Sequence, residues 1–261
     1  MGGVGKTTAA RSIARRYDLR LYSVDSYTYA HAARLPTEMR SLDEIWVDST
    51  PEQLAAWFEE TAGNRFPLIL DDLRRLPADV PILAEGPQLL PTLVRPLLPS
   101  PDRVVFVVAS HELHRRLLER RGSGLMGVVR DSGRALENRV RRDHILGEWL
   151  EDEARRTGLS LCTVSRVEDT EAAIELQFGP ALRAWDALGD RGDVGERRRE
   201  ENDARLLQWR ANADHFDDDS GEVAFACECG RDGCAETVTL GLPDAEHLRA
   251  TSAPLTAHGS A

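Results

Sequence analysis

The chain has 261 residues, of which 41% are hydrophobic and 30% charged, and 44 acidic residues against 33 basic ones give a net charge of −11. This composition is typical of a soluble globular protein with a packed core, and its acidic balance argues against a general nucleic-acid binder, which needs a basic surface. No apolar run approaches the roughly 18 residues of a membrane span and no secretory signal pattern is present, so we expect a cytoplasmic protein without a membrane partner.

The first residues form a glycine-rich turn that matches the back of the phosphate-binding P-loop pattern. Lys6 is the only lysine among the 33 basic residues. In such a loop, backbone N–H groups close around phosphate oxygens, the lysine reaches the outer phosphates and the Thr7 hydroxyl binds Mg²⁺. The predicted nucleotide-binding residues of this turn are Gly3, Val4, Gly5, Lys6, Thr7 and Thr8.

The P-loop match is incomplete at its front. The first glycine of the pattern, and the strand that normally feeds the loop, fall before Met1. We therefore expect a chain that is truncated at its start, by a misplaced start codon or by a real loss. A real loss would remove the central strand of the sheet.

Hydrophobic spacing then predicts alternating helices and strands along the chain. Helices are expected over residues 9–17, from Thr50, and over 111–121, 134–156, 168–178 and 200–213. Strands are expected over residues 19–24, 80–84, 103–109 and 159–164, with a hairpin over 223–227 and 238–242. The alternation predicts an α/β fold with a three-layer, doubly wound parallel sheet, followed by a small α+β module.

Residues 66–76 fit two structures. Phe66, Ile69, Leu70 and Leu73 have helical spacing, whereas residues 68–72 alone can form a buried strand that ends in acid. The domain boundaries follow from these patterns and from a polar linker. We expect a P-loop domain over 1–185, a linker over 186–199, a cysteine-containing module over 200–250 and a disordered tail over 251–261.

The order of features over about residues 1–180 resembles the P-loop small-molecule kinases, which include the nucleoside monophosphate, shikimate and gluconate kinases. The resemblance rests on architecture more than on long motifs. It implies that Asp25, which follows the first strand, orients or deprotonates the acceptor hydroxyl. It also implies an acid at the end of a second strand that binds Mg²⁺ through water, and Glu85 is the candidate.

Asp71 and Asp72 are the rivals of Glu85. If residues 68–72 are the acid-tipped strand, the chain is more similar to ATPases of the AAA type. We prefer Glu85 because helical spacing continues through Leu73.

The kinase resemblance further implies a mobile lid whose arginines neutralise charge during phosphoryl transfer. Arginines flank the Gly-rich stretch 122–133 on both sides. Those expected in catalysis are Arg120, Arg121 and Arg139, with Arg116, Arg134 and Arg142 beside them. A GTPase is excluded, because its guanine-reading Asn-Lys-x-Asp motif needs a second lysine.

The sequence therefore predicts an enzyme that uses ATP and Mg²⁺ to phosphorylate a small-molecule acceptor. Lys6 anchors the nucleotide and takes part in catalysis. One alternative is an ATPase or switch that couples hydrolysis to partner binding. Another is a non-catalytic interaction protein that keeps a degenerate P-loop.

Three of the four cysteines form a Cys-x-Cys-x4-Cys pattern: Cys227, Cys229 and Cys234. Cys227 and Cys229 face one side of an extended strand, and a glycine-bearing turn can return Cys234 to them. A structural Zn²⁺ takes four ligands, so the fourth is one of His258, His247, His215 or Cys162. The alternative is three reduced cysteines that pack a small hairpin.

The stretch from Asn202 to Arg249 resembles a short C-terminal module of several high-GC bacterial proteins. That resemblance implies a histidine a little beyond the final helix, and His258 is the nearest match. The predicted metal ligands are Cys227, Cys229, Cys234 and His258.

Overall fold

The computed structural model describes residues 4–35, 40–121, 128–189 and 191–258, without the side chains of residues 119–121. Its fold is mixed α/β, as the sequence predicts. The chain divides into two compact units, each built from separate stretches. The first comprises Met1–Ala9, Pro36–Leu70 and Pro87–Pro180, and the second Ala10–Leu35, Asp71–Gly86 and Ala181–Ala261.

Helices account for most of the described chain. They are α1 (Lys6–Arg16), α2 (Thr28–Ala32), α3 (Pro51–Arg75), α4 (Pro91–Val94), α5 (His111–Arg121), α6 (Ser132–Thr157), α7 (Asp169–Asp186), α8 (Val194–Phe216) and α9 (Leu242–Ala250). Short 3-10 helices cover Val24–Tyr27, Arg95–Leu97 and Pro101–Arg103, and a π-helix covers Glu44–Asp48. Among the described helices, none combines the length and the apolar content of a membrane span.

The strands form pairs. They are β1 (Arg20–Ser23), β2 (Ile82–Glu85), β3 (Val105–Ala109), β4 (Ser160–Val164), β5 (Val223–Ala226) and β6 (Thr237–Leu240). β1 pairs with β2 and β3 with β4, both in parallel, while β5 and β6 form the antiparallel hairpin that the alternation predicts. In the described chain these are separate two-stranded sheets, and the continuous three-layer sheet that we expected is not seen.

Residues 66–75 of the ambiguous stretch are helical, because they continue α3 to its end at Arg75. Leu54, Phe66 and Ile69 are buried on one face of this helix. Burial of a large apolar side chain contributes about 1.5–3 kcal/mol to stability. The helix that buries these side chains on one face is therefore favoured over the alternative strand. Asp71 and Asp72 therefore lie on a helix, as the preference for Glu85 assumes.

The core of the first unit forms where α6 packs against the β3–β4 pair. Phe106 and Val108 of β3 contact Leu150 of α6 and the buried Leu159. The carboxylate of Asp131 accepts a hydrogen bond from the backbone N–H of Arg134 and caps the start of α6. The helix ends at Gly158, whose φ of 68° suits the left-handed C-terminal position.

The second unit contains the cysteine module, in which α8 and α9 cover the β5–β6 hairpin. Phe225 of β5 and Ala245 of α9 are fully buried and pack with Leu255. Leu255 is 2% exposed, and its carbonyl oxygen accepts a hydrogen bond from the backbone N–H of Glu228 at 2.7 Å. Residues 251–258 are therefore packed on the module, whereas the sequence predicts a disordered tail over 251–261.

Candidate metal centre and phosphate-binding turn

Three thiols and one imidazole converge beside the β5–β6 hairpin. The ligand atoms of Cys227, Cys229, Cys234 and His258 all lie within 4.8 Å of one another. The Sγ atom of Cys234 is 3.5 Å from Nε2 of His258. Of the four candidates for the fourth ligand, His258 is the one that the described structure brings to the thiols.

These separations fit a tetrahedral ion. Zinc binds sulfur at about 2.3 Å and imidazole nitrogen at about 2.05 Å, so tetrahedral ligands are spaced by about 3.8 Å for two sulfurs and about 3.6 Å for sulfur and nitrogen. The distance of 3.5 Å between Cys234 Sγ and His258 Nε2 is close to the spacing for sulfur and nitrogen. Small side-chain movements therefore suffice for the four groups to hold one metal ion.

Charge in the cluster also favours a cation. Burial and the neighbouring thiols of Cys229 and Cys227 raise the pKa of Cys234 to about 11. Burial also acts to raise the pKa of Cys229, but hydrogen bonds from the backbone of Arg231 and from the other thiols leave it lowered. Several thiolates this close repel one another unless a metal ion neutralises them.

Glu228 organises the surroundings of the metal cluster. Its backbone lies between two ligands and its side chain is buried. The carboxylate accepts hydrogen bonds from Asn202 Nδ2 at 2.7 Å, from Arg249 Nη1 at 3.0 Å and from the backbone N–H of Leu255 at 3.0 Å. The contact with Leu255 fixes the tail three residues before His258, so Glu228 helps to hold the fourth ligand in place.

Asn202 holds the strand that enters the cluster. Its side-chain amide donates to the carbonyl oxygen of Ala226 and accepts from the N–H of the same residue, both at 2.8 Å. It therefore pairs with β5 as a neighbouring strand would, one residue before Cys227. Nothing in the sequence pattern marked Asn202 or Glu228, because both are polar residues whose burial is set by the tertiary structure.

The predicted phosphate-binding turn lies at the start of α1. Gly5 has a φ of 80°, a left-handed conformation, and a Cβ atom there would lie 2.8 Å from the Val167 side chain. Val4 is fully buried, and its carbonyl oxygen accepts a hydrogen bond from Thr170 Oγ1 at 2.6 Å. The helix follows immediately, with Lys6, Thr7 and Thr8 in its first turn. Gly3, also predicted here, lies outside the described residues.

The two predicted acids of the kinase set lie at one end of the β1–β2 pair. Ser23 and Glu85 are partners in the parallel register, and the Ser23 hydroxyl donates a hydrogen bond to the Glu85 carboxylate. Asp25 follows β1 by two residues in a 3-10 helix and is exposed. The carboxyl ends of both strands therefore carry acid at the same edge.

The rival acids are engaged in other contacts. Asp71 forms ion pairs with Arg34 at 3.2 Å and with Arg75 at 2.6 Å. Asp72 accepts a hydrogen bond from the Tyr22 hydroxyl at 2.9 Å. These partners, together with the helical backbone, give both residues a clear structural role.

Arg139 is the one of the three expected catalytic arginines whose side chain the structure describes. Arg139 lies on α6, and its guanidinium group stacks 5.7 Å from the centroid of the Trp46 ring. Arg142 stacks on the same ring at 5.0 Å. The side chains of Arg120 and Arg121 lie outside the part of the chain that the structure describes. Cation–π packing thus gives Arg139 a defined position on Trp46.

No protein-family model matches the sequence, and no curated protein and no solved structure matches the chain.

The left-handed conformation of Gly5 leads to a testable prediction about stability. Gly5→Ala should lower the free energy of unfolding by about 1–2 kcal/mol, because alanine is strained at this φ and its methyl group meets Val167. Gly147→Ala is the matched control, since Gly147 lies inside α6 with open space around it. The control should gain about 0.5–1 kcal/mol. Denaturant unfolding measures both, and an equal response of the two variants would contradict the prediction.

Proposed function

We propose that this protein binds ATP and Mg²⁺ at the start of α1 and transfers the γ-phosphoryl group to a small-molecule acceptor, on a parallel sheet of the P-loop type. The observation that carries the proposal is the obligatory glycine turn at Gly5, followed at once by a helix with Lys6 and Thr7 in its first turn. The amino end of a helix presents N–H groups and a partial positive charge to phosphate. Lys6 would bind the outer phosphates and Thr7 the Mg²⁺.

The strand ends support the same proposal. Phosphoryl transfer needs groups that hold the metal ion and orient the acceptor. Glu85, bonded to Ser23 at the end of β2, is suited to hold a Mg²⁺-bound water molecule. Asp25 is exposed just beyond β1, where it is suited to orient an acceptor hydroxyl.

Lys6→Ala should weaken ATP binding or reduce turnover by about two orders of magnitude, because it removes the positive charge that holds the outer phosphates. Arg16→Ala is the matched control, since it removes one positive charge from an exposed side chain at the other end of the same helix. Calorimetric titration with Mg²⁺–ATP and ADP release with a panel of acceptors measure the effect.

Unchanged binding and turnover in Lys6→Ala would exclude the P-loop mechanism. If the unaltered protein binds no nucleotide, the non-catalytic interaction protein is favoured instead. ADP release that no acceptor stimulates would favour the ATPase or switch.

The different positions of Glu85 and Asp71 lead to a separate prediction. Glu85→Gln should lower Mg²⁺-dependent turnover by about a hundredfold, since a neutral amide polarises a metal-bound water less. Asp71→Asn should keep turnover within about twofold, because Asp71 is paired with arginines on α3. ADP release as a function of Mg²⁺ concentration is the measurement. The opposite ranking of the two variants would favour the AAA-type ATPase.

We also propose that the thiol cluster holds one structural Zn²⁺. The spacing of the four ligand atoms supports this, as does the size of the module. About fifty residues bury too little apolar surface to be stable without a further constraint. Metal binding by thiolates supplies folding free energy directly.

Protein purified without a histidine tag should contain about one zinc per chain by elemental analysis. Cys229→Ser should lose the metal and the fold of the module, because one thiolate ligand is removed. Cys162→Ser is the matched control, since Cys162 lies in β4 in the other unit. Metal-free protein with an intact module and three freely titrating thiols would show that the cysteines only pack the hairpin.

A further inference from the structure

Asp18 ends α1 in an unusual way. It has a φ of 51°, in the left-handed region, and is only 2% exposed. The chain turns here, since the N–H of Leu19 donates back to the carbonyl oxygen of Ala14 at 2.8 Å. A buried carboxylate is costly unless it is hydrogen-bonded or paired with a positive charge, so Asp18 needs partners at this position.

The partners of Asp18 come from the C-terminal part of the chain. Both carboxylate oxygens accept the backbone N–H of Gly233, at 2.9 and 3.1 Å. The guanidinium group of the buried Arg198 contacts the same carboxylate at 3.1 Å. Burial raises the pKa of Asp18, although the Gly233 N–H and Arg198 act to lower it. The charged carboxylate thus depends on these two contacts.

Gly233 directly precedes the metal ligand Cys234 in the loop that joins β5 to β6. Residues 230–233 of this loop are exposed, and Gly230 and Gly233 have φ values of 70° and 62°. The loop therefore has no apolar side chain at its tip to fix it by burial, and two flexible glycines lie in it. Its anchors are the cluster members Cys229 and Cys234, on either side of the tip.

We propose that metal occupancy of the thiol cluster controls the stability of the C-terminal end of α1, through the contact between Gly233 and Asp18. This inference rests on the metal site proposed above. With a metal ion bound, Cys229 and Cys234 hold the loop so that its N–H group meets the buried carboxylate. Without the ion, the loop loses its anchors, the carboxylate loses a donor and the last turn of α1 opens more often. Because α1 begins at Lys6, the cluster acts as a metal-sensitive control on the helix that carries the only lysine.

Hydrogen exchange of the full chain, followed by mass spectrometry with and without Zn²⁺, tests the proposal. The amides of residues 13–19 should exchange about tenfold faster after chelation of the metal, within the usual range of coupling between sites. In Asp18→Asn, metal content should stay at one zinc per chain while the response of exchange to the metal becomes clearly smaller, because the neutral amide oxygen accepts the Gly233 N–H more weakly and no longer pairs with Arg198. Asparagine tolerates the left-handed conformation, so this variant keeps the turn.

The matched control is Asp217→Asn. Asp217 also has a φ of 51° and ends a helix, α8, but it is exposed. It should keep the tenfold response of the unaltered protein. For each variant, the exchange rate without Zn²⁺ is divided by the rate with Zn²⁺, so that a general loss of stability cancels.

A second pair of variants, Gly233→Ala and Gly230→Ala, strains the loop at two left-handed positions. Of these two residues, only Gly233 donates a hydrogen bond to Asp18. The response should be reduced in Gly233→Ala alone.

Two results would overturn the inference while leaving the metal site intact. One is an unchanged exchange rate in residues 13–19 when elemental analysis shows that zinc has been removed. The other is a response in Asp18→Asn equal to that of the unaltered protein. If no zinc binds at all, elemental analysis shows that the metal site itself is wrong, and the inference falls with it.

Discussion

Glu228 lies between two cysteine ligands in the sequence, and the C-terminal module is assembled around its buried carboxylate. It receives hydrogen bonds from α8 through Asn202, from α9 through Arg249 and from the tail through Leu255. A buried charge is costly without such partners, so all three segments are required together. The pKa of Glu228 is lowered although burial acts to raise it, because these donors favour the charged form. The same contacts bring His258 to the thiols.

The two candidate sites differ in how they are held. The thiol cluster is built from side chains whose positions follow from surrounding hydrogen bonds, and its four ligand atoms lie close enough for small side-chain movements to bring them onto one tetrahedral ion. The predicted phosphate-binding turn is mainly a backbone feature, fixed by the conformation of Gly5 and the packing of Val4 and Val167. Metal specificity in the cluster would come from ligand chemistry, and phosphate binding at the turn would depend on the direction of the N–H groups at the helix start. The link between Asp18 and Gly233 would join them through α1.

The spacing of residues along the sequence was sufficient to predict most of the helices and strands. Helical spacing predicted α5 over its whole length, and it favoured the helical alternative for residues 66–76 that α3 confirms. Alternation predicted the β5–β6 hairpin, and buried apolar runs predicted β1 to β4. We expected a single sheet, but the described chain contains separate strand pairs. A run of apolar residues indicates that a strand is buried, but it does not show which strands pair with it.

The sequence by itself determined the types of the elements, the glycine turn before Lys6 and the convergence of three cysteines, since each depends on residues close together in the chain. The residues alone left four candidates for the fourth ligand and the resemblance implied His258, which the tertiary structure places beside the three thiols. The tertiary structure alone also decided the roles of Asp18, Asn202 and Glu228. Their sequence neighbourhoods are those of ordinary polar residues, and their partners lie 24 to 215 positions away. Burial of such groups depends on long-range packing, which no local pattern records.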